Sequence, residues 1–332
     1  MPGKLHALQS LGVRLPIMQA GMPGVATVDL AAAVSRAGGI GTLGLQDIST
    51  WERSLCEVRA AANGTPVSVN LLLPYTRKKH VDAIVRQHIP IVTLFWGDAR
   101  ELISHLHHED IFVFQQVGSK SEAARALDAG VDAIIAQGTE AGGHVRGKLK
   151  LADLLPQVVN LAGDTPVFAA GGIYCADDVR GVVALGASGV STGTRFLLTH
   201  ESNAHEAYKR RLLEPGQTIL TTLFGLGWPT PHRVFQNEAT RRWCHADGSI
   251  PTWLQAFNSA FAFTRKLLPF KADTAKLQRP DLPIFSPAWL EKSFPASLVE
   301  CTALYAGEHV GRIKDILSAR DVVEDLARGF HG

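Results

Sequence analysis

The stretch Val131-Asp132-Ala133-Ile134-Ile135-Ala136-Gln137-Gly138-Thr139-Glu140-Ala141-Gly142-Gly143-His144 carries the two features that decide the fold. Its first half is an apolar run that reads as a buried strand. Its second half is a loop of small residues that allows close backbone approach and leaves one imidazole projecting. A glycine-paired loop at the C-terminal end of a strand is where α/β proteins put ligands. His144 is therefore the leading candidate for a catalytic residue, against the plainer reading of a structural loop histidine.

Outward from this stretch the same alternation recurs between residue 16 and about residue 199. Apolar runs at 16–20, 39–45, 67–72, 89–95, 111–117, 131–137, 167–170 and 189–192 predict eight strands. Helical patterns separate them, as with Leu30, Ala33, Val34 and Ala37 at spacings of three, four and seven. Ser119 and Glu122 form a capping-box signature before Ala123, Ala126 and Leu127, and Gly130 closes that helix. Asp177 and Asp178 open another, with Val179, Val182 and Val183 on one face. Eight βα units predict a closed TIM (β/α)8 barrel rather than an open sheet.

Past residue 199 the pattern changes to proline-rich sequence holding Trp228, Trp243, Trp253 and Trp289. Trp253 to Leu268 reads as helix. The simplest organisation is a barrel from residues 1–202 with 305–332, and a mainly helical insertion at 203–304 that covers the barrel mouth as a lid. Ile313, Ile316, Leu317, Val322, Val323 and Leu326 predict a closing barrel helix. The insertion tryptophans read as lid core, with one of them walling a substrate pocket.

Composition limits the function classes. A hydrophobic content of 46% with 19% charged residues suits a soluble globular chain with a sizeable core. The formal net charge of +2, without a run of five like charges, gives no footprint for nucleic acid or an anionic membrane. No apolar stretch reaches the roughly 18 residues of a membrane span. Lys4 and Pro16 interrupt the N-terminal segment, which does not read as a signal peptide. Cys56, Cys175, Cys244 and Cys301 form no CxxC pair, which argues against zinc or a disulfide framework and suits a reducing cytoplasm. Asn63-Gly64-Thr65 reads as a turn. His105, His107 and His108 before Glu109-Asp110 imitate a metal cluster but read as the solvated end of a helix, so no metal site is expected.

Gly39-Ile40-Gly41-Thr42-Leu43-Gly44 matches GxGxxG in the wrong context. The dinucleotide fingerprint needs a strand, then the glycines, then a helix, and here the order is reversed. Two later loops are more informative. Ala170-Gly171-Gly172-Ile173 ends the seventh strand and Ser191-Thr192-Gly193-Thr194 ends the eighth, the barrel positions that commonly bind phosphate. Glycine lets backbone N–H groups converge on phosphate oxygens, helix N-termini add partial positive charge, and Thr194 adds a hydroxyl. Neutral amides cluster at the same end: Gln19, Asn70, Gln115, Gln116 and Gln137. Converging amides suit a planar heterocycle with carbonyls and ring nitrogens, such as an isoalloxazine, although each could equally satisfy a core hydrogen bond. Carboxylates for a metal and a Schiff-base lysine are missing from the strand ends.

Pro16-Ile17-Met18-Gln19-Ala20-Gly21-Met22, the Gln137–His144 segment, Ala170–Ile173 and Ser191–Phe196 together resemble the nitronate monooxygenase family, FMN-dependent barrel enzymes once called 2-nitropropane dioxygenases. Thr199–Ser202, Pro231–Val234 with Asn237, and Tyr305-Ala306-Gly307 extend the likeness over nearly the whole chain. The resemblance implies backbone contacts to the flavin from Gly21, Met22 and Pro23, and contacts from Asn70, Gln116, Gln137, Gly142 and Gly143. It implies a phosphate site at Gly171, Gly172, Ser191, Thr192, Gly193 and Thr194, with His144 as catalytic base. The expected reaction is oxidation of alkyl nitronates, or of nitroalkanes, with O2 to carbonyl compounds and nitrite. The alternative on the same barrel is an NAD(P)H-dependent FMN reductase of quinones or enoyl thioesters, and a non-catalytic flavin- or phosphate-binding module is a third class. Glu140 reads as loop scaffold rather than anion repeller, and Tyr305 resembles a position near the active site. One departure stands out: the family often reads His-Arg-Gly where this chain has His144-Val145-Arg146-Gly147, which shifts Arg146 and bears on specificity. A homodimer suits such a barrel, but no self-complementary stripe is legible.

Overall fold

The structure, a computed structural model, describes residues 4–261 and 272–331. Its strands in chain order are β1 (Ile17–Gln19), β2 (Gly41–Leu43), β3 (Val67–Leu72), β4 (Ile91–Phe95), β5 (Phe112–Val117), β6 (Ala133–Gln137), β7 (Gly143–His144), β8 (Val167–Ala170), β9 (Gly189–Thr192), β10 (Thr218–Thr221) and β11 (His232–Phe235). Eight of them form one parallel sheet in the order β1-β9-β8-β6-β5-β4-β3-β2. A parallel bridge between Met18 and Ile40 brings its two ends together, closing the TIM barrel. Gln19 reinforces that seam: its N–H donates to the Ile40 carbonyl at 2.9 Å, and its Oε1 accepts from the Thr42 N–H at 3.0 Å. The amide nitrogen of Gln19 donates to the Ala20 carbonyl. Gln19 thus serves the core hydrogen-bond role that its sequence context left open.

Period-two alternation sorts each strand between two cores. Phe112 and Phe114 of β5, Ala133 and Ile135 of β6, and Phe168 and Ala170 of β8 meet Met18 and Ile91 inside the barrel. Their neighbours Val113, Ile134, Ala136, Val167 and Ala169 belong to the outer core beneath the helices. The same parity carries Gln116 and Gln137 to the inner side of the C-terminal mouth. Helix Val28–Ala37 lies against β2 so closely that an ideal Cβ on Gly41 would stand 1.7 Å from the Ala31 carbonyl oxygen. Only glycine permits that approach. The glycines of the reversed GxGxxG do run from helix to strand, with Gly38 capping the helix in the left-handed region.

The expected helices form at Lys120–Asp128, capped by Ser119, and at Ala176–Ala184. Asn63 caps Ile48–Ala62 in the left-handed region, so the Asn63-Gly64-Thr65 turn is a helix end. The closing helix is Ala319–Ala327, with Val322, Val323 and Leu326 buried. Ile313, Ile316 and Leu317 precede it instead of lying on it, and Leu317 bridges Thr199. All four cysteines are unpaired. Among the described residues no helix is long and apolar enough to cross a membrane, and no metal-ligating cluster is present. His107 instead bonds Asp132 Oδ2 at 2.8 Å at the end of helix Arg100–His108.

The insertion is mainly helical, as expected, with one addition. It contributes helices Glu206–Leu213, Glu238–Trp243 and Thr252–Ala260, but also the antiparallel pair β10–β11. The latter part of the helix expected from Trp253 to Leu268 lies outside the described residues. A second buried cluster, including Tyr208, Phe224, Phe235, Phe285 and Leu304, packs this region onto Leu197 and Leu198 at the barrel mouth.

Gly41→Ala is expected to destabilise the protein by at least about 3 kcal/mol, because backbone atoms must separate to admit the methyl group. Gly181→Ala is expected to stabilise it by up to about 1 kcal/mol, since that exposed helical glycine has nothing within 4 Å of an added Cβ. Urea midpoints of the two variants and the parent check both signs.

Candidate active site

One cavity at the C-terminal mouth gathers Gly21, Met22, Pro23, Asn70, Gln116, Gln137, Gly142, Gly143, His144, Gly171, Gly172 and Ser191 through Thr194. Two of the amides expected to converge there do not line it: Gln19 stays in the barrel seam, and Gln115 donates to the Gly97 carbonyl at 3.1 Å. The 203–304 insertion adds Tyr208, Trp228, Pro287 and Trp289, and Tyr305 follows directly after it. Two insertion tryptophans wall the cavity, where one was expected. Trp243 donates instead to the Pro280 carbonyl, and Trp253 is exposed. Among the described residues no Asp, Glu, Lys or Arg lines the cavity.

His144 reaches this place on β7, a strand absent from the sequence reading. β7 pairs antiparallel with β11, His144 opposite His232 and Gly143 opposite Arg233, so a loop residue is ordered by a lid strand. The Val145 N–H donates to the Pro231 carbonyl at 2.9 Å. Gln137 holds the loop from the barrel side: its amide nitrogen donates to the His144 carbonyl at 2.9 Å, and its oxygen accepts from the Arg146 N–H at 3.1 Å. Gln137 therefore acts first as a clamp on the His144 backbone. Asn70 donates weakly to the Thr93 carbonyl at 3.4 Å, and Gln116 is half-buried at the cavity wall.

The His144 ring is packed between aromatic groups. Trp228 lies 4.1 Å away between ring centroids with planes 30° apart, and Trp96, His232 and Tyr305 surround it at 5.5 to 6.2 Å. Protein encloses the imidazole, and the surface it retains faces the cavity. Nε2 of His144 is buried without a hydrogen-bond partner. Burial, and secondarily His232, pushes the His144 pKa well below the ordinary histidine value. The ring is thus a neutral base throughout the neutral range, more strongly so than a free imidazole. His232 has no such freedom. Its Nε2 accepts from the Phe224 N–H at 3.2 Å, so its proton sits on Nδ1 and is donated to the Thr230 carbonyl at 2.9 Å.

Charged neighbours are turned to structural work. Glu140 accepts from the Leu151 N–H through both oxygens, at 2.9 and 3.1 Å, and so caps helix Leu151–Ala162. That is the scaffold role. Arg146 pairs with Glu122 and stacks 4.8 Å over Trp96, outside the cavity lining. Arg195 is spent on Asp315 at 2.7 Å and on backbone carbonyls. The phenol of Tyr305 donates to the Pro287 carbonyl at 3.1 Å.

The two glycine loops are tied together, since the Thr192 hydroxyl donates to the Ile173 carbonyl at 2.8 Å. Thr194 Oγ1 accepts from the Gly307 N–H at 2.9 Å and keeps its own proton available. Gly142 presses on the same segment, where an added Cβ would come within 2.6 Å of the Ala306–Gly307 backbone. Gly193 differs: an added Cβ would meet nothing closer than Met22 Sδ at 3.6 Å. Its missing side chain is space left open at the cavity wall.

A family model described as "Nitronate monooxygenase" matches residues 6–81 and 74–329. The chain belongs to the nitronate monooxygenase family. A probable nitronate monooxygenase of Staphylococcus aureus is 32% identical over 76% of this chain and 84% of its own length. A 5-hydroxy-7a-methyl-1-oxo-octahydro-1H-indene-4-carboxyl-CoA dehydrogenase of Rhodococcus jostii is 28% identical over 95% of this chain and 92% of its own. Among solved structures, FabK of Thermotoga maritima superposes with a TM-score of 0.78 at 27% identity, covering 98% of this chain and 96% of that one. Nitroalkane oxidase of Streptomyces ansochromogenes gives 0.75 at 27% identity, covering 99% and 98%. This nitronate monooxygenase family member is therefore an oxidoreductase acting on a small-molecule substrate. Of the residues now seen around the site, His232 lay within a family segment, whereas Trp96 and His309 carried no local signal.

The buried His232 gives a pH prediction. Burial lowers its pKa from 6.5 to about 4. The unfolded chain takes up a proton on this ring below about pH 6.5, whereas the folded protein refuses it until about pH 4. Stability therefore falls as pH drops through that window, by about 3 kcal/mol from this group. Denaturant titrations at pH 7 and pH 4 should show a correspondingly smaller loss for His232→Gln than for the parent.

Proposed function

We propose that this chain is an FMN-dependent nitronate monooxygenase that oxidises alkyl nitronates, and nitroalkanes after proton removal, with O2 to carbonyl compounds and nitrite. The observation that carries the reading is a neutral His144, its buried Nε2 without a hydrogen-bond partner, on the wall of a cavity that no charged Asp, Glu, Lys or Arg lines among the described residues. The residues fit FMN. Asn70 and Gln116 offer amides to the flavin ring, with backbone contacts from Gly21, Met22 and Pro23 and close approach at Gly142 and Gly143. Gln137 serves through the loop that it clamps. Gly171, Gly172 and Ser191 through Thr194 hold the phosphate, and the open space at Gly193 supports that fit. When bound, FMN supplies the electron-accepting chemistry that nitronate oxidation requires and passes electrons to O2.

His144 removes the α-proton of a neutral nitroalkane. That transfer creates an imidazolium beside a nitronate anion, and opposite charges attract strongly in a cavity of low dielectric. The Trp228 face at 4.1 Å adds a cation–π contact to the protonated ring. We assign residues 203–304 as the lid that excludes water, with Trp228 and Trp289 as its inner wall.

A second reading has its own support. The Rhodococcus relative is named a dehydrogenase of a carboxyl-CoA, which favours a thioester substrate; with it goes the alternative of an NAD(P)H-dependent FMN reductase acting on an enoyl thioester or a quinone. Anaerobic NADH or NADPH discriminates the two: rapid bleaching of the flavin spectrum selects the reductase. Bleaching by ethyl nitronate, with oxygen uptake and nitrite release in air, selects the monooxygenase.

His144→Asn should lower turnover of neutral nitroalkanes at least about 100-fold while leaving most activity on preformed nitronates. Equal loss on both substrates would remove His144 as the base. Gly193→Val should abolish FMN binding, read by ultrafiltration and flavin absorbance, with little change in the urea midpoint of the flavin-free protein. Unchanged FMN content would mean that the phosphate end lies elsewhere.

A further inference from the structure

A phosphate monoester carries a charge of about −1.5 to −2 near pH 7. The glycine loops can offer it N–H groups and hydroxyls, but no cation from Lys or Arg among the described residues. Arg195, next to Thr194 in sequence, is the nearest cation by motif and is spent on Asp315. One side chain at that end of the cavity can still gain positive charge. His309 lines the cavity beside Gly172, and Thr194 is in the same lining. Its Nδ1 is 2.8 Å from the Gly172 carbonyl oxygen, which can only accept, so Nδ1 carries a proton. The ring lies flush with the loop: an added Cβ on Gly172 would be 2.8 Å from Nδ1 and 3.0 Å from Cε1. Fixing Nδ1 in this way leaves Nε2 as the atom that gains or loses the second proton.

We propose that His309 is the cationic anchor for the phosphate of the bound flavin, donating through Nε2 when protonated. This rests on the FMN reading above. The groups around the ring are accounted for. On its own segment, Glu308 faces Arg233 at 3.7 Å, and Arg312 lies 5.0 Å over Tyr174 and 3.7 Å from Asp178. On the loop after β6, the Glu140 carboxylate is held by Leu151. On the loop after β8, the Cys175 thiol donates to Asp178 at 3.4 Å and Tyr174 is the remaining titratable group. None of these supplies a free positive charge to the phosphate. An imidazole holds a phosphate by charge only while it is protonated, so a phosphate retention that weakens as pH rises is what the proposal requires.

The test compares FMN with riboflavin, which lacks the phosphate. Flavin release from the loaded protein, followed by fluorescence, gives both dissociation constants at pH 6 and pH 8.5. His309→Gln should weaken FMN at pH 6 by about 10- to 100-fold and leave riboflavin unchanged. In the parent, the preference for FMN over riboflavin should fall between pH 6 and pH 8.5, and in His309→Gln it should not. That second comparison in the parent needs no variant. It is diagnostic because ionisation of the phosphate alone would raise the preference with pH. Equal weakening of both flavins, an unaffected FMN constant, or a preference that rises with pH overturns the anchor while leaving the flavin reading intact. Failure of the parent to bind either flavin overturns that reading instead.

Discussion

Two residues of β7 paired with two of β11 form the joint on which the active site depends. A loop of small residues following a barrel strand has large conformational entropy, and a catalytic imidazole placed on it would wander. Here the loop is held from both sides. Gln137 grips its backbone from the barrel, and His232–Arg233 grips it from the lid. Arg233 adds a third hold through the Thr139 carbonyl at 3.0 Å. The glycines can then serve close packing without loosening His144, because the loop's order comes from long-range bonds.

The electrostatic design follows from the same packing. Each charged side chain near the mouth has a structural partner: Glu140 a helix end, Arg146 a carboxylate and an aromatic face, Arg195 Asp315. What remains toward the cavity is neutral amides, hydroxyls, backbone and aromatic rings. A neutral base in such surroundings has a low pKa, which weakens it as a base toward bulk acids. Toward an acid bound beside it the balance differs, because the proton transfer creates an ion pair in place and needs no separation of charge. Under the proposed function, the burial that depresses the His144 pKa favours reaction with a substrate that stays bound as its anion.

The barrel was legible because eight strands repeat one local rule. The inner and outer cores alternate along β5, β6 and β8, and the same parity points Gln116 and Gln137 inward. The glycine loops were legible as positions because barrel topology puts strand C-termini at one end. β7 was not: two residues, one of them glycine, have no periodicity, and their partners lie 88 and 90 positions away in β11. The β10–β11 pair was hidden by polar residues among its apolar ones, and by prolines and tryptophans that suggested irregular packing. The backbone clamp made by Gln137 was illegible for a related reason. An amide at a strand end can face a ligand or a backbone, and only the fold of the following loop decides between them.

The lid is accordingly more than a cover. It supplies β11, which orders His144, and Trp228, which packs against the imidazole at 4.1 Å. It also supplies the Pro287 carbonyl that takes up the Tyr305 hydroxyl, so the phenol nearest the base is already engaged. The barrel ends, by contrast, are constrained by closure at Met18–Ile40 and by the narrow fit at Gly41, which leave little room for change. The two halves of the cavity therefore answer to different constraints. The strand ends must keep one geometry to remain a barrel, whereas the lid can alter the walls around His144 by exchanging aromatic side chains. On this division, the strand ends fix the glycine loops, and the insertion sets the placement of His144 and the aromatic walls around it.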